Sequence, residues 1–349
     1  MSEWVPCLVR RPLGETGVEV RLGHDLVDDY LRFVAARCRP NSVLAAGFDL
    51  KVFFVFVGKE PIAVTTTDVL AFIADQRAPR HGGNVVRLDD REAGLSARTI
   101  RRRLATLSGL FGYLIAVGVV KTSPVPSGPL TRSPSGRGRA GGQHAPLIRT
   151  PRTLPRVLTP PEAVALLAAL RTDRDRAMVE AMLLAGLRRC EVLGLRLPDV
   201  RLADRRLFIA EGKGGHERIV PVAARFFTTL AAYLDRERPA GTATDRLFVV
   251  LKGPNRGRPL TSPGIDEILR GARKRAGLAQ ATCHMLRHTC LTRLREAGMA
   301  LEAVQAQAGH RSIESTRIYL HLANAWLAGE YHSAMDALET DLARPGGQR

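Results

Sequence analysis

Residues 281–298, ATCHMLRHTCLTRLREAG, and residues 308–322, AGHRSIESTRIYLHL, decide how this chain is read. Their spacing predicts a helix over 284–297 stopped by Gly298, a second over 301–308 stopped by Gly309, and a third, capped by Ser312, that carries Tyr319. His284, Arg287, His310 and Tyr319 therefore sit on consecutive short helices. Two upstream segments add cations: Arg188 in LLAGLRRCEVLGL (183–195) and Lys213 in EGKGGHERIVPV (211–222). With RRLFIA (205–210) before it, the latter makes two alternating strands around a glycine turn, which puts Lys213 at a hairpin tip.

These residue types suit a phosphodiester. Guanidinium forks match paired phosphate oxygens, so Arg188 and Arg287 are candidates to neutralise charge growing on phosphorus oxygens during attack. A tyrosine with an ordinary pKa of about 10 is a poor nucleophile near neutrality. Neighbouring cations ease its ionisation, and a proton donor is needed for the departing sugar oxygen. Singly, each residue has an ordinary reading. Arg188 suits a helix C-terminus, where the dipole favours a cation, and Lys213 suits an exposed turn. That turn lacks the glycine spacing and Ser/Thr of a nucleotide-phosphate loop. His284 and His288 stand one helical turn apart but lack the carboxylate of a zinc site, so no metal is expected.

The 349 residues allow two cored domains, and 52 Lys+Arg against 34 Asp+Glu leave a formal charge of +18. Such charge points to a polyanion, most economically nucleic acid. Five scattered cysteines offer neither a disulfide nor a zinc framework. The N-terminus lacks the apolar core of a secretion signal, and no stretch reads as a membrane span, so a cytoplasmic protein is expected.

Along the chain, a short polar lead precedes a helix over 24–38 with Leu26, Tyr30, Phe33 and Val34 on one face. Next come a helix capped by Ser42 with Leu50, Phe53, Phe54 and Val57, and one starting at 65–67 with Val69, Phe72 and Ile73. Residues 76–94 read as an exposed loop. Ser96 caps a helix with Ile100, Leu104, Leu107, Phe111 and Leu114 on one side, and its first turns carry Arg98, Arg101, Arg102 and Arg103. Clustered arginines at a helix start make a phosphate-contacting surface, with a solvated charged face as the alternative. The expected organisation is a helical domain over 1–121, a basic flexible linker over 122–157, and a second domain over 158–349.

The second domain opens with a Thr159–Glu162 capping box. It continues through a helix from Asp173 to Leu187, the hairpin, a helix over 223–236 and one capped by Ser262. A last helix over 325–342 carries an apolar stripe from Leu327 to Leu342. The fold class is mainly α with one small sheet.

Four segments together, GLRRCEVLGL, GKGGHERIVPV, HMLRH and AGHRSIESTRIYLHL, resemble in order and spacing the motifs of the tyrosine recombinases, also called phage-type integrases. Residues 159–322 carry the resemblance. The first 120 resemble, more loosely, that family's helical core-binding domain. The resemblance implies an α+β catalytic domain in which Tyr319 attacks the scissile phosphate to give a 3′-phosphotyrosyl link and a free 5′-hydroxyl. Arg188 and Arg287 would hold the non-bridging oxygens, and His284 would assist proton transfer at the nucleophile. Lys213 would protonate the 5′-oxygen, His310 would hydrogen-bond the phosphate, and Glu191 would support these side chains. The bond energy is retained in the phosphotyrosine, so no cofactor, ATP or metal is implied.

The resemblance further implies an enzyme that acts as a homotetramer on two DNA duplexes through its C-terminal helix, whether it integrates or excises a mobile element, moves a transposon or resolves chromosome dimers. An accessory DNA-bending or directionality protein is compatible with it. Cys190 stands where the family often has serine. A type IB topoisomerase and a non-catalytic DNA-binding regulator are the rival readings. The first is disfavoured by the N-terminal helices and terminal stripe, the second by Tyr319 with all its partners.

Overall fold

The computed structural model describes residues 4–13, 17–79, 94–126, 148, 156–210, 217–310, 316 and 335. They divide into two units, Met1–Arg152 and Thr153–Arg349, each with its own apolar core. The described residues are mostly helical, with two small antiparallel sheets.

The first unit begins with a feature the sequence reading missed. Instead of a polar lead there is a hairpin of β1 (Val9–Leu13) and β2 (Gly17–Arg21), paired Val9 to Arg21 and Leu13 to Gly17. Its signal was the alternation of Val18, Val20 and Leu22, of which Val20 and Leu22 are buried. The hairpin packs on α1 (Asp25–Arg37) and α2 (Pro40–Val57). Gly47 permits this closeness, because a Cβ there would lie 2.7 Å from Val20 Cγ1. The covering strand rotates the buried face of α1: Val27, Tyr30 and Leu31 are buried, while Phe33 is 42 % exposed.

Helix α2 starts before Ser42, with Arg39 at the N-cap and Pro40 in the first turn, where its missing N–H costs nothing. At 18 residues and a mean hydropathy of 1.4, α2 has the length and apolarity to cross a bilayer, contrary to expectation. Here it lays Val43, Leu50, Phe53 and Phe54 into the unit's core.

Thr65 and Asp68 form a capping box on α3 (Thr66–Arg77), and Ser96 caps α4 (Ala97–Ala116). The stripe Ile100, Leu104, Leu107, Phe111 and Leu114 is buried as expected. The loop expected over 76–94 and the linker over 122–157 lie largely outside the described residues. Two described residues of the linker, Val125 and Ile148, are buried in the first unit's core.

In the second unit the Thr159–Glu162 capping box opens α5 (Pro160–Ala168). Then come α6 (Asp173–Ala185), α7 (Arg189–Gly194) and a sheet of β3 (Val200–Arg201), β4 (Arg206–Ile209) and β5 (Arg218–Pro221). Residues β4 and β5 pair Leu207 with Val220 and Ile209 with Arg218. The remaining described helices are α8 (Ala224–Arg236), α9 (Ser262–Arg275), α10 (Cys283–Glu296) and α11 (Leu301–Ala308). Thr261, not Ser262, takes the N-cap position of α9.

Helix α10 packs between α6 and α11. It also anchors the start of the unit: Thr289 Oγ1 accepts from Leu158 N at 2.9 Å, and Arg293 Nη2 donates to Leu158 O at 2.9 Å. The helices proposed around Tyr319 and over 325–342 lie outside the described residues.

Candidate active site

Helix α6 ends at Gly186 in the left-handed conformation, with φ of 68°, and the chain re-enters helix at α7 after Arg188. Arg188 is thus an N-cap residue of α7 and not the last residue of α6. Its own N–H donates to Glu191 Oε2 at 2.9 Å, and its Nη1 donates to Glu191 Oε1 at 2.7 Å. Nη2 reaches the far end of α11, donating to Gly309 O at 3.1 Å.

Arg287, on α10, is 2 % exposed and held by two helix ends. Nη1 donates to Gly186 O at 2.5 Å and Nη2 to Ala308 O at 2.6 Å. Carbonyls left over at helix C-termini carry partial negative charge, so they orient a guanidinium without neutralising it. That leaves Arg287 suited to a mobile anion.

Arg287 Nη2 also lies 3.1 Å from His310 Nε2. A guanidinium only donates, so Nε2 accepts and the ring proton sits on Nδ1, which donates to Thr316 Oγ1 at 3.0 Å. Burial, then the charges of Arg287 and Arg188, lower the His310 pKa to about 4. His284 and His288 form a second histidine contact, Nε2 to Nε2 at 2.7 Å. His288 is lowered to about 4 by burial first and His284 next. No metal-binding group of three or more ligands occurs among the described residues.

Glu191 holds the cluster together. Its side chain is fully buried, with Arg287 Nη1 4.0 Å away. Burial alone would raise its pKa, but hydrogen bonds and charge from Arg218 and Arg188 bring it down to about 2. The carboxylate is therefore ionised throughout the physiological range. Arg188, Glu191, Arg287 and His310 converge from α7, α10 and the end of α11, and the net charge of the group is positive.

Two comparisons with known proteins find relatives of this chain. The model of the Phage integrase family matches residues 156–325, a span containing every residue of the cluster. The chain is 32% identical over 316 residues to Tyrosine recombinase XerC of Roseiflexus castenholzii, covering 86% of this chain and 89% of that protein. The chain belongs to the tyrosine recombinase family. Tyrosine recombinase XerD of Listeria monocytogenes is 30% identical, over 88% of this chain and 97% of that one.

The recombinase fold extends to solved structures. A lambda integrase dimer bound to a COC' core site superposes with a TM-score of 0.62 at 19% identity, covering 85% of this chain and 94% of that one. XerH bound to a palindromic difH substrate gives 0.61 at 20%, covering 88% and 84%.

Of the expected site residues of this recombinase, Arg188, Glu191, Arg287 and His310 are brought together, with His284 one turn from His288 on α10. Lys213 and Tyr319 lie outside the described residues. On α4, Arg98, Arg101 and Arg102 are exposed. Arg103 faces inward: its side chain is 12% exposed, it hydrogen-bonds Gln76, and its Nε lies 3.7 Å from Asp49.

Arg218 went unread in the sequence. Nη1 and Nη2 donate to the two oxygens of Glu191 at 3.0 and 2.8 Å. The available signal was an arginine two residues before buried Val220, on the same face of the strand.

Proposed function

We propose that this recombinase cuts and rejoins double-stranded DNA at defined sites, with Tyr319 as the nucleophile. The gathering of Arg188, Arg287, His310 and Glu191 from distant segments into one hydrogen-bonded, cationic cluster carries this reading. Arg188 and Arg287 grip the two non-bridging oxygens of the scissile phosphate. The Tyr319 oxygen bonds to phosphorus as the bond from phosphorus to the 5′-oxygen breaks, and His284 takes the phenolic proton. Lys213 gives a proton to the departing 5′-oxygen.

The product is a 3′-phosphotyrosyl ester and a free 5′-hydroxyl. One phosphate ester is exchanged for another, so a second strand's 5′-hydroxyl can reverse the step without ATP or a metal. His310 hydrogen-bonds the phosphate; an anion beside it relieves the repulsion from Arg287 and Arg188 and draws a proton to Nε2.

Arg98, Arg101 and Arg102 on α4 contact the DNA backbone, with Arg103 bracing them from inside. Four copies act on two duplexes in the cytoplasm, joined through the apolar stripe over 327–342. The charge of +18 and the spacing of that stripe support this assembly.

Covalent trapping tests the chemistry. DNA from the gene's flanks and a genomic library, nicked so that the 5′ fragment escapes, is incubated without ATP or metal. Wild type forms a protease-sensitive adduct that survives denaturant, and Tyr319→Phe forms none. Arg188→Ala and Arg287→Ala lower adduct formation on the order of 10³-fold while retaining DNA binding. Tight binding to the library with no adduct would instead identify a DNA-binding regulator.

A further inference from the structure

Arg218 opens β5, and the chemistry above gives it no task. It commits its guanidinium fork to Glu191: both Nη atoms donate to the carboxylate, at 3.0 and 2.8 Å. The same two oxygens receive Arg188 Nη1 and Arg188 N. One buried carboxylate is therefore shared between the arginine that grips phosphate and an arginine on the hairpin. The side chain of Arg218 is 13% exposed, and its Nε is buried without a hydrogen-bond partner among the described residues. Its end-on fork is therefore spent on Glu191, inside the cluster.

A second contact fixes the geometry. Gly309 has φ of 61°, and a Cβ there would lie 2.9 Å from Arg218 Cζ and Nη1. The guanidinium thus packs against the backbone of the residue whose carbonyl receives Arg188 Nη2. Strand β5 is also pinned at its other end, where Gln307 Nε2 donates to Pro221 O at 3.2 Å and to Ala185 O at 3.0 Å.

Removing Arg218 would leave Glu191 half-satisfied in a buried site. The carboxylate would then turn toward Arg287, 4.0 Å away, and loosen its hold on Arg188. We propose that Arg218 is a positioning residue for strand cleavage, fixing Glu191 and through it Arg188. It also locks that pair to the strand that follows Lys213 in the chain. The proposal rests on the reading that Arg188 grips the scissile phosphate.

The test uses full-length protein carrying Arg218→Met or Arg218→Lys and two readouts. Without DNA, arginine-labelled NMR follows the Arg188 guanidinium, assigned with Arg188→Lys. Its slowed rotation in wild type is expected to vanish in Arg218→Met and to return in part in Arg218→Lys. With the trapped DNA fragment at saturation, Arg218→Met is expected to slow adduct formation on the order of 10²-fold with Kd unchanged.

The double variant Arg218→Met/Glu191→Gln is expected to cleave no more slowly than Glu191→Gln alone. Cleavage by Arg218→Met at the wild-type rate overturns the proposal. So does an unaltered Arg188 signal, or a loss confined to Kd. If wild type itself forms no adduct, the recombinase chemistry fails, while the Arg188 signal still decides whether Arg218 positions it. Should Arg218→Met not fold, Arg218→Lys carries both readouts.

Discussion

Asp49 in the first unit and Glu191 in the second are both 2% exposed carboxylates facing arginines. Burial raises the Asp49 pKa by more than Arg102, Thr106 and Arg103 lower it. Burial pushes on Glu191 as well, yet its partners bring it down to about 2. The difference is in the donors. Both Glu191 oxygens are met at hydrogen-bonding distance by Arg188 and Arg218. On Asp49, Oδ2 takes Arg102 and Thr106, whereas Oδ1 has Arg103 Nε at 3.7 Å. Donors on both oxygens favour the charged form of a buried carboxylate against the cost of burial. The second unit is preorganised for an anion. The first unit gives Asp49 one well-donated oxygen, met by Arg102 and Thr106.

Neutralising each acid in turn should give unequal costs. Glu191→Gln is expected to destabilise the second unit by about 3–5 kcal/mol, because it strands buried arginines. Asp49→Asn should cost the first unit about 1 kcal/mol, the order of one hydrogen bond. Urea unfolding followed by hydrogen exchange in peptides from each unit measures both. Equal losses would mean that the two carboxylates do the same job.

Much of the second unit was legible because its residues fall in short motifs whose spacing reports helix ends. Gly298 and Gly309 mark stops, and His310 follows the second; the end of α6 was read at Leu187 but falls at Ala185, because Gly186 takes the left-handed conformation. Arg218 was not read, since its pairing joins strand β5 to Glu191 on α7 across 27 residues and follows no local period. The first unit was read less well for a related reason. The β1–β2 hairpin was missed, and without it nothing in the helical spacing of residues 24–38 says that Val27 and Leu31, rather than Leu26 and Phe33, turn inward. The caps assigned to Ser42 and Ser262 moved to Arg39 and Thr261, because a proline in the first turn sets the start more firmly than a nearby serine.

Acid should separate the units. His288 and His310 fall from 6.5 to about 4 on folding, so the unfolded chain binds protons first and the second unit loses stability as pH drops from 6.5 toward 4. Glu191, lowered from 4.5 to about 2, continues the loss below 4.5. In the first unit Asp68, lowered chiefly by its hydrogen bond from Lys59, tilts the same way. Asp49 tilts oppositely: its raised pKa contributes stability below 3.8 that is lost as pH rises through the folded value. Hydrogen exchange across an acid titration should therefore show the second unit opening at higher pH than the first. Simultaneous opening would remove the distinction between the clusters.

The smallest expected effect lies in neighbouring arginines of α4. Arg102 is 50% exposed at its side chain while bonded to Asp49, and Arg103 is 12% exposed. If Arg102 meets phosphate, Arg102→Ala should weaken DNA binding evenly across sequences and lower the slope of log K against log salt by about 1. Arg103→Ala should leave that slope alone and act on stability, since Gln76 and Asp49 already occupy its guanidinium. Either variant should leave the saturated rate of adduct formation untouched, whereas Arg188→Ala lowers the rate and spares affinity. A salt slope unmoved by Arg102→Ala would make Arg102 a strut for α2 and α4. The backbone contact would then fall to Arg98 and Arg101 on the turns before it.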